Sequence, residues 1–395
     1  MIAHHRFDPR SVAGMNIITL LQPPRIAIGD GCVRQCVELF RERALARVLL
    51  VSTTPVLAEL GEVLDAFRRA GIQVIQSPPV DREPTVRMFE SVLATARAER
   101  IHGVLAVGGG SALDVGKLVA ALLHNPQDVR DVFGIDLLRG RSVFLVCVPT
   151  TAGTGSEVSP NAILLDEDEQ IKKGVISRHL VPDAAFLDAE LTRSVPPAVT
   201  AATGFDALTH CIEAYANRAA HPALDHLALE GIRLISRHLP RAVRDGNDLE
   251  ARGRLLLGSF YGGLCLGPVN TAAVHALAYP LGGRFRVAHG VSNAVLLPHV
   301  LRFNLSAAPE RYADIALALG VAPGRTPLAT AERGLERLTE LARECGIPQR
   351  LAALGVPREA LPEMARAAIT VTRLLKNNPR PVTERDALQI YEAAY

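Results

Sequence analysis

Tryptophan is absent from this 395-residue sequence, aromatic residues make up only 4% of it, and the formal net charge is only +2. With no basic run and few rings on which bases could stack, nucleic acid is not an expected partner. Long apolar stretches are missing too: no segment of about 18 residues escapes a charge or a breaker, so no membrane span is expected. Cysteine is sparse and scattered, at positions 32, 36, 147, 211, 265 and 345. Cys32 and Cys36 can share a helical face, but no second pair sits at a zinc-finger spacing. A disulfide framework is therefore not expected, and a reduced, cytoplasmic protein is the default. The opening MIAHHRFDPRSVAG has no apolar stretch of a secretory signal, and Met15 is a candidate alternative start.

What is present suits a two-domain enzyme. The length permits two cores, and 48% hydrophobic residues with 21% charged is ordinary for a globular protein. The first half alternates between strand-like and helix-like segments. Strands are predicted at 47–53, 72–77, 103–107 and 142–149, with helices over 55–70, from about Pro84 to Glu99, and after the glycines at 108–110. Shorter β-rich runs follow at 161–166, 172–177 and 184–188. Strands separated by helix-length segments predict an α/β fold, a parallel sheet with covering helices. After Pro196-Pro197 the pattern turns helical, with helices predicted at 198–217, 222–238, 248–265, 270–281, 290–303, 308–319, 327–345 and 358–374. The expected domains are therefore 1–196 (α/β, dinucleotide-binding) and 197–395 (all-α, metal-binding).

Two motifs in the first half suggest a nucleotide. Val107 leads into Gly108-Gly109-Gly110-Ser111 and then a helical ALDVGKLVAALL. Such a turn lets backbone N–H groups approach a pyrophosphate, with the helix dipole behind them. The spacing is not G-x-G-x-x-G, so an ordinary Rossmann fingerprint is not claimed. The segment PTTAGTGSE (149–157) follows a strand and offers small hydroxyl side chains. It reads equally as a ligand loop or as a turn bonded to its own backbone. In the second half Asp206 and His210 stand at i and i+4 on one helical face, and His275 and His289 follow in glycine-rich contexts. One carboxylate and three imidazoles can hold a divalent cation. Gly282-Gly283 are expected to end the helix carrying His275, and His289 to start the next. His221 and His226 read as surface residues.

Together GGGSALDVGK, PTTAGTGSEVSP, TGFDALTHCIEAY and HALAYPLGG…VAHGVSNAVLLPH closely resemble the iron-containing (group III) alcohol dehydrogenases, across nearly the whole chain. The resemblance implies a Rossmann-like domain and a helical domain with the site between them. It implies metal ligands at Asp206, His210, His275 and His289. Gly109, Gly110 and Ser111, with Asp114 beside them, match the pyrophosphate turn. Thr150, Thr151 and Thr154 match nicotinamide and phosphate contacts, and Lys172 a lysine near the cofactor. Asn161, Ile163 and Leu266 match substrate-pocket positions, Leu266 standing where some members place an aromatic wall. Implied cofactors are NAD or NADP and a divalent metal. Fe(II) is expected from the family's name, and Zn(II), Mn(II) or Co(II) is chemically acceptable. The implied partner is a small alcohol or its aldehyde or ketone, and a homodimer is the family expectation.

Two departures from the family pattern matter. Tyr279 stands where many members have a histidine regarded as a proton carrier. A phenol with an unperturbed pKa of roughly 10 is a poor base at neutral pH, so proton release is expected through water and the cofactor ribose. Thr53 stands where NAD-preferring members carry an aspartate for the ribose 2′-OH, so NADPH should be tolerated. The rival readings are a maleylacetate reductase or a hydroxyacid–oxoacid transhydrogenase. The sister fold of dehydroquinate synthase and glycerol-1-phosphate dehydrogenase is disfavoured because the cleft motifs carry few cations beyond Lys172, Arg284 and Arg286.

Overall fold

Strict alternation of apolar side chains builds the first half. In this computed structural model, which describes residues 17–395, Val48 and Leu50 enter one apolar cluster with Leu105, Val107, Val146 and Val148. Leu49 and Val51 enter another with Val104, Ala106, Leu145 and Cys147. Period-two strands with apolar residues on both faces can lie only in the middle of a sheet covered twice. Residues 1–14 and Met15, read above for a signal or a start, lie outside the described residues.

The strands, in chain order, are β1 (Arg25–Ile28), β2 (Arg47–Ser52), β3 (Gln73–Gln76), β4 (Gly103–Gly108) and β5 (Gly134–Ile135). There follow β6 (Phe144–Pro149), β7 (Asn161–Asp166), β8 (Ile171–Ile176) and β9 (Ala184–Leu187). Six of them form an all-parallel sheet in the order β1-β9-β6-β4-β2-β3. From β2 the chain moves outward to β3, then returns past β2 to β4. The reversal opens a crevice beyond the carboxyl ends of β2 and β4, where ligands of open α/β sheets bind. Ser52 pairs with Val107 there, and its hydroxyl donates to the Val107 carbonyl at 2.7 Å.

Several expectations are corrected. The runs at 161–166 and 172–177 do not join the parallel sheet. They form an antiparallel hairpin, β7–β8, in a second three-stranded sheet ordered β5-β8-β7. A four-residue connection, Glu167–Gln170, is too short for a crossover and allows only a hairpin. β1 had no sequence signal beyond RIAI and was not anticipated. Pro84 lies ahead of its helix rather than in the first turn: Thr85 is the N-cap, its side chain accepting from Met88 N–H, and the helix spans Val86–Ala98.

Beyond Pro196 no strand occurs among the described residues. Helix Pro197–Tyr215 is buried along nearly its whole length and is packed by helices Pro222–Arg244, Leu249–Leu266 and His289–Asn304. That explains its apolar composition on all sides. The helix expected over 358–374 is broken into Leu361–Ile369 and Thr372–Leu375. The β-branched run Ile369-Thr370-Val371-Thr372 disfavours a continuous helix at that point. An unanticipated helix, Glu384–Ala394, starts from a reciprocal cap between Thr383 and Asp386. Leu256 and Phe260 of the helical half pack on Ala185 and Leu187 of β9, locking the halves together. No helix among the described residues is long and apolar enough to cross a membrane.

Candidate metal centre and cofactor cleft

Helix Pro197–Tyr215 presents Asp206, His210 and Glu213 on one stripe, at i, i+4 and i+7. Helix Ala273–Phe285 brings His275 to them, and helix His289–Asn304 brings its first residue, His289. The Nε2 atoms of His210, His275 and His289 lie 3.7, 3.5 and 3.6 Å from a single oxygen, Asp206 Oδ1. These separations are too long for good hydrogen bonds. They are close to the spacing of about 3.4 Å between donors that each sit about 2.1 Å from one tetrahedral ion. Asp206, His210 and His275 are buried and already cluster within 4.8 Å, whereas His289 stands on the open side.

The surroundings fit a dication. Glu213, buried beside the cluster, accepts from His275 Nδ1 at 2.6 Å and from the Val274 N–H at 2.6 Å. Its carboxylate fixes the Nδ1–H tautomer and leaves the His275 Nε2 lone pair turned inward, the usual carboxylate–histidine support of a metal site. Two buried carboxylates with neutral imidazoles leave two negative charges that a divalent cation would balance. Burial would raise the Asp206 carboxyl, but its interactions with the His210, His289 and His275 rings outweigh it and hold the group well below the usual range. Burial lowers His210, and it takes His289 down to about 3 against the pull of Asp206, so both offer lone pairs at neutral pH. Burial also acts to lower His275, but Glu213 and Asp206 lift it to about 9, so a cation taking Nε2 would displace a proton from this ring. Asn293, one turn beyond His289, donates to Asp206 Oδ1 at 2.7 Å and steadies it.

The cluster closes one end of a cavity of about 540 Å³ between the halves. The glycine turn lines the same cavity, with Gly109 as N-cap of helix Gly110–Leu122. A Cβ on Gly110 would fall 2.5 Å from Thr154 Cγ2, so only glycine lets the two loops meet. Gly109, Gly110, Ser111, Thr151 and Thr154 all line the cavity, as expected for residues that would cradle a dinucleotide. Thr150 does not; it is buried, and its N–H is bonded to the Gly108 carbonyl. Thr53 also lies outside the cavity, capping the short helix Thr54–Leu57 beside Gly108.

Asp114 borders the cavity but is occupied internally. Its two oxygens accept from the Ser156 hydroxyl and the Ile163 N–H. One turn on, the buried Lys117 ammonium binds the carbonyls of Ser156, Ser159 and Asn161 and the Ser156 hydroxyl. The pair straps helix Gly110–Leu122 to the PTTAGTGSE loop and to β7. Asp114 thereby holds the cofactor loops together from a place on the cavity wall.

Alternation along the β7–β8 hairpin builds the side wall. Asn161, Ile163 and Leu165 face the cavity, while Ala162 and Leu164 turn into the core. Across the register, Leu165 pairs with Lys172 and Asn161 with Ile176. The Lys172 side chain is buried and ion-paired with Glu83. A Cβ on Gly282 would lie 2.8 Å from Lys172 Nζ, which explains the glycine and corrects its expected role. Gly282 and Gly283 do not end the helix, which runs on to Phe285 and stops at Arg286 in the left-handed region (φ 55°). Leu266 lines the same chamber, and Tyr279 closes it against His289 with ring centroids 6.3 Å apart. Glu213 and Asn293 carried a sequence signal, helical spacing from Asp206 and from His289. Glu83 and Arg373, which also line the cavity, carried none.

Comparison with known proteins agrees with this geometry. Residues 23–189 match the family described as iron-containing alcohol dehydrogenase. Residues 200–395 match the Fe-containing alcohol dehydrogenase family, C-terminal. Long-chain-alcohol dehydrogenase 1 of Geobacillus thermodenitrificans (strain NG80-2) is 40% identical over 388 residues, spanning 96% of this chain and 98% of that one. 1,3-Propanediol dehydrogenase of Klebsiella pneumoniae is 38% identical over 335 residues, spanning 85% and 86%. A crystal structure of 1,3-propanediol oxidoreductase superposes with a TM-score of 0.93 at 35% identity, over 96% of this chain and 100% of that chain. The chain belongs to the iron-containing alcohol dehydrogenase family.

Proposed function

We propose that the protein is a divalent-metal-dependent, NAD(P)-linked dehydrogenase that interconverts small alcohols with their aldehydes or ketones. The observation that carries this reading is the convergence of three imidazole Nε2 atoms on one Asp206 oxygen in a cleft that a glycine turn also lines. Asp206, His210, His275 and His289 would hold the cation, Fe(II) by family, with Glu213 fixing the His275 tautomer. When bound, such a cation polarises a substrate oxygen as a Lewis acid, worth several kcal/mol, and the nicotinamide exchanges the hydride. The N–H groups at Gly109–Ser111 would receive the pyrophosphate, with the helix dipole behind them. Thr151 and Thr154 line the path toward the histidines, and Ile163, Leu165 and Leu266 keep water from the reacting carbon. A chelator-treated sample should lose aldehyde reduction with NADH or NADPH and regain it with Fe(II) added anaerobically. Full activity in protein shown by elemental analysis to be stripped of metal would sink the proposal.

Tyr279 is a wall and not the proton carrier in this reading. Its hydroxyl turns toward Arg373, whose Nη2 lies 3.5 Å away. With a nicotinamide cofactor bound, the proton would leave through water and the ribose hydroxyls rather than through Tyr279. Tyr279→Phe should reduce kcat for an uncharged aldehyde by less than about tenfold; a loss of several orders of magnitude with metal retained would make Tyr279 the proton carrier.

The adenosine end carries an acid that Thr53 alone does not reveal. Beyond β3 the chain stays beside β2, Val80 N–H bonding the Ser52 carbonyl at 2.9 Å. Asp81 then accepts from Thr54 N–H and from its hydroxyl, both at 2.6 Å. These bonds hold its carboxyl below the usual range. An ionised carboxylate at this strand end favours a ribose 2′-OH over a 2′-phosphate. Because the site is exposed to solvent and salt, the repulsion is partial. NADPH should be accepted, with kcat/KM about tenfold below that of NADH, and Asp81→Asn should bring the two together. An unchanged ratio in the variant would remove Asp81 from cofactor choice.

A further inference from the structure

Most inward-facing cations of this protein have an anion or several carbonyls to hold. Arg311 is paired with Asp225, Arg141 with Asp183, Lys172 with Glu83, and Lys117 is ringed by carbonyls and Asp114. Arg373 is the exception in the cleft. It stands in the short helix Thr372–Leu375, after the break in the C-terminal helical run, and is half-buried on the cavity wall. Among the described residues its guanidinium has a single hydrogen bond, the long one to the neutral Tyr279 hydroxyl, and no carboxylate within ion-pair distance. On the β8 side Gly174, opposite Ile163, lies close by: a Cβ there would sit in ordinary contact, 3.9 Å from Arg373 Nη2.

Charge accounting gives this group a purpose, on the reading that a dication occupies the histidine cluster. The cation balances Asp206 and Glu213, and Glu83 balances Lys172. The guanidinium is left as the unbalanced charge at the substrate end. An Arg fork partly removed from water, with its N–H donors unspent, is costly unless an anion arrives to take them, and a carboxylate matches the fork in two parallel bonds. Tyr279 connects the two places: its hydroxyl is 3.5 Å from Arg373 Nη2, and its ring centroid is 6.3 Å from that of His289.

We propose that the preferred substrate carries a carboxylate a few carbons from its carbonyl or hydroxyl carbon, and that Arg373, with the Tyr279 hydroxyl beside it, receives that carboxylate. The substrate class is then an ω-oxo acid or the matching ω-hydroxy acid. This deepens the dehydrogenase reading and rests on it.

The test compares ω-oxo acids of about four to six carbons, succinic semialdehyde being the shortest, with uncharged n-aldehydes of equal length. The wild-type protein, loaded with metal and given NADH, should favour one of the acids in kcat/KM by about 30-fold or more, mainly through KM. Arg373→Met should erase that preference and Arg373→Lys should restore part of it. Should Arg373→Met fail to fold, inhibition of wild-type butanal reduction carries the test: butyrate should compete with butanal far better than butyramide does. Equal use of acid and neutral aldehydes by the wild type, an unaltered ratio in Arg373→Met, or equal inhibition by the acid and the amide would overturn the proposal. Failure to reduce either class with either nicotinamide would instead overturn the dehydrogenase reading beneath it.

Discussion

Asp206→Asn is expected to lose the metal and to lower kcat/KM for aldehyde reduction by about 10³-fold or more, the rate equivalent of several kcal/mol of charge stabilisation. The substitution keeps the side chain's shape and removes the charge on which His210, His275 and His289 converge. Asn293 could still bond the new amide, so the helices have little reason to separate. Asp206 is buried, however, so thermal unfolding should be followed in parallel. Glu213→Gln gives a graded companion. It leaves all four proposed ligands in place but no longer anchors the His275 Nδ1–H with a charge, which should weaken metal affinity by about 10–100-fold. A one-to-one metal content and a normal rate in Asp206→Asn would show that the ion, if any, is held elsewhere.

Lys117→Met should destabilise the protein by about 3–5 kcal/mol, the range for breaking a buried charge pair by removing one partner. The ammonium is completely buried and satisfies the carbonyls of Ser156, Ser159 and Asn161. Burial depresses its pKa and the neighbouring Asp114 opposes that shift. Methionine fills the volume but strands those carbonyls and leaves Asp114 without its counter-charge. Glu157, already pushed up to about 7 by burial and holding an unpartnered oxygen, would lose a favourable neighbour too. A clear fall in the thermal midpoint is expected, together with a higher KM for the nicotinamide, because the strap aligns the glycine turn with the PTTAGTGSE loop. An unchanged midpoint would mean that the buried ammonium contributes nothing to stability.

Local periodicity was readable without any structure. The unbroken apolar runs in RVLLVS and GVLAVG made buried parallel strands, the glycines marked the turn above β4, and Asp206 with His210 at i and i+4 lay on one helical face. The spacing also held Glu213 and Asn293, since i+7 from Asp206 and i+4 from His289 are the same kind of signal. Where expectation and structure part, a long-range contact decided. Gly282 reads as a helix terminator, yet its missing side chain makes room for Lys172 arriving from β8. Asp114 reads as a neighbour of the glycine turn, and its bonds to Ser156 and Ile163, 42 and 49 residues away, were not legible in the sequence.

The sequence by itself determined which side chains of a strand or helix share a face, because backbone periods of two and 3.6 residues decide that. Only the tertiary structure decided which of them meet. It brought three helices' worth of imidazoles to one carboxylate oxygen, set Asp81 beside Thr54, and left Arg373 near Gly174 without a counter-ion among the described residues. Charge balance and close approach are sums over neighbours far apart along the chain, and no local pattern in the sequence contains those sums.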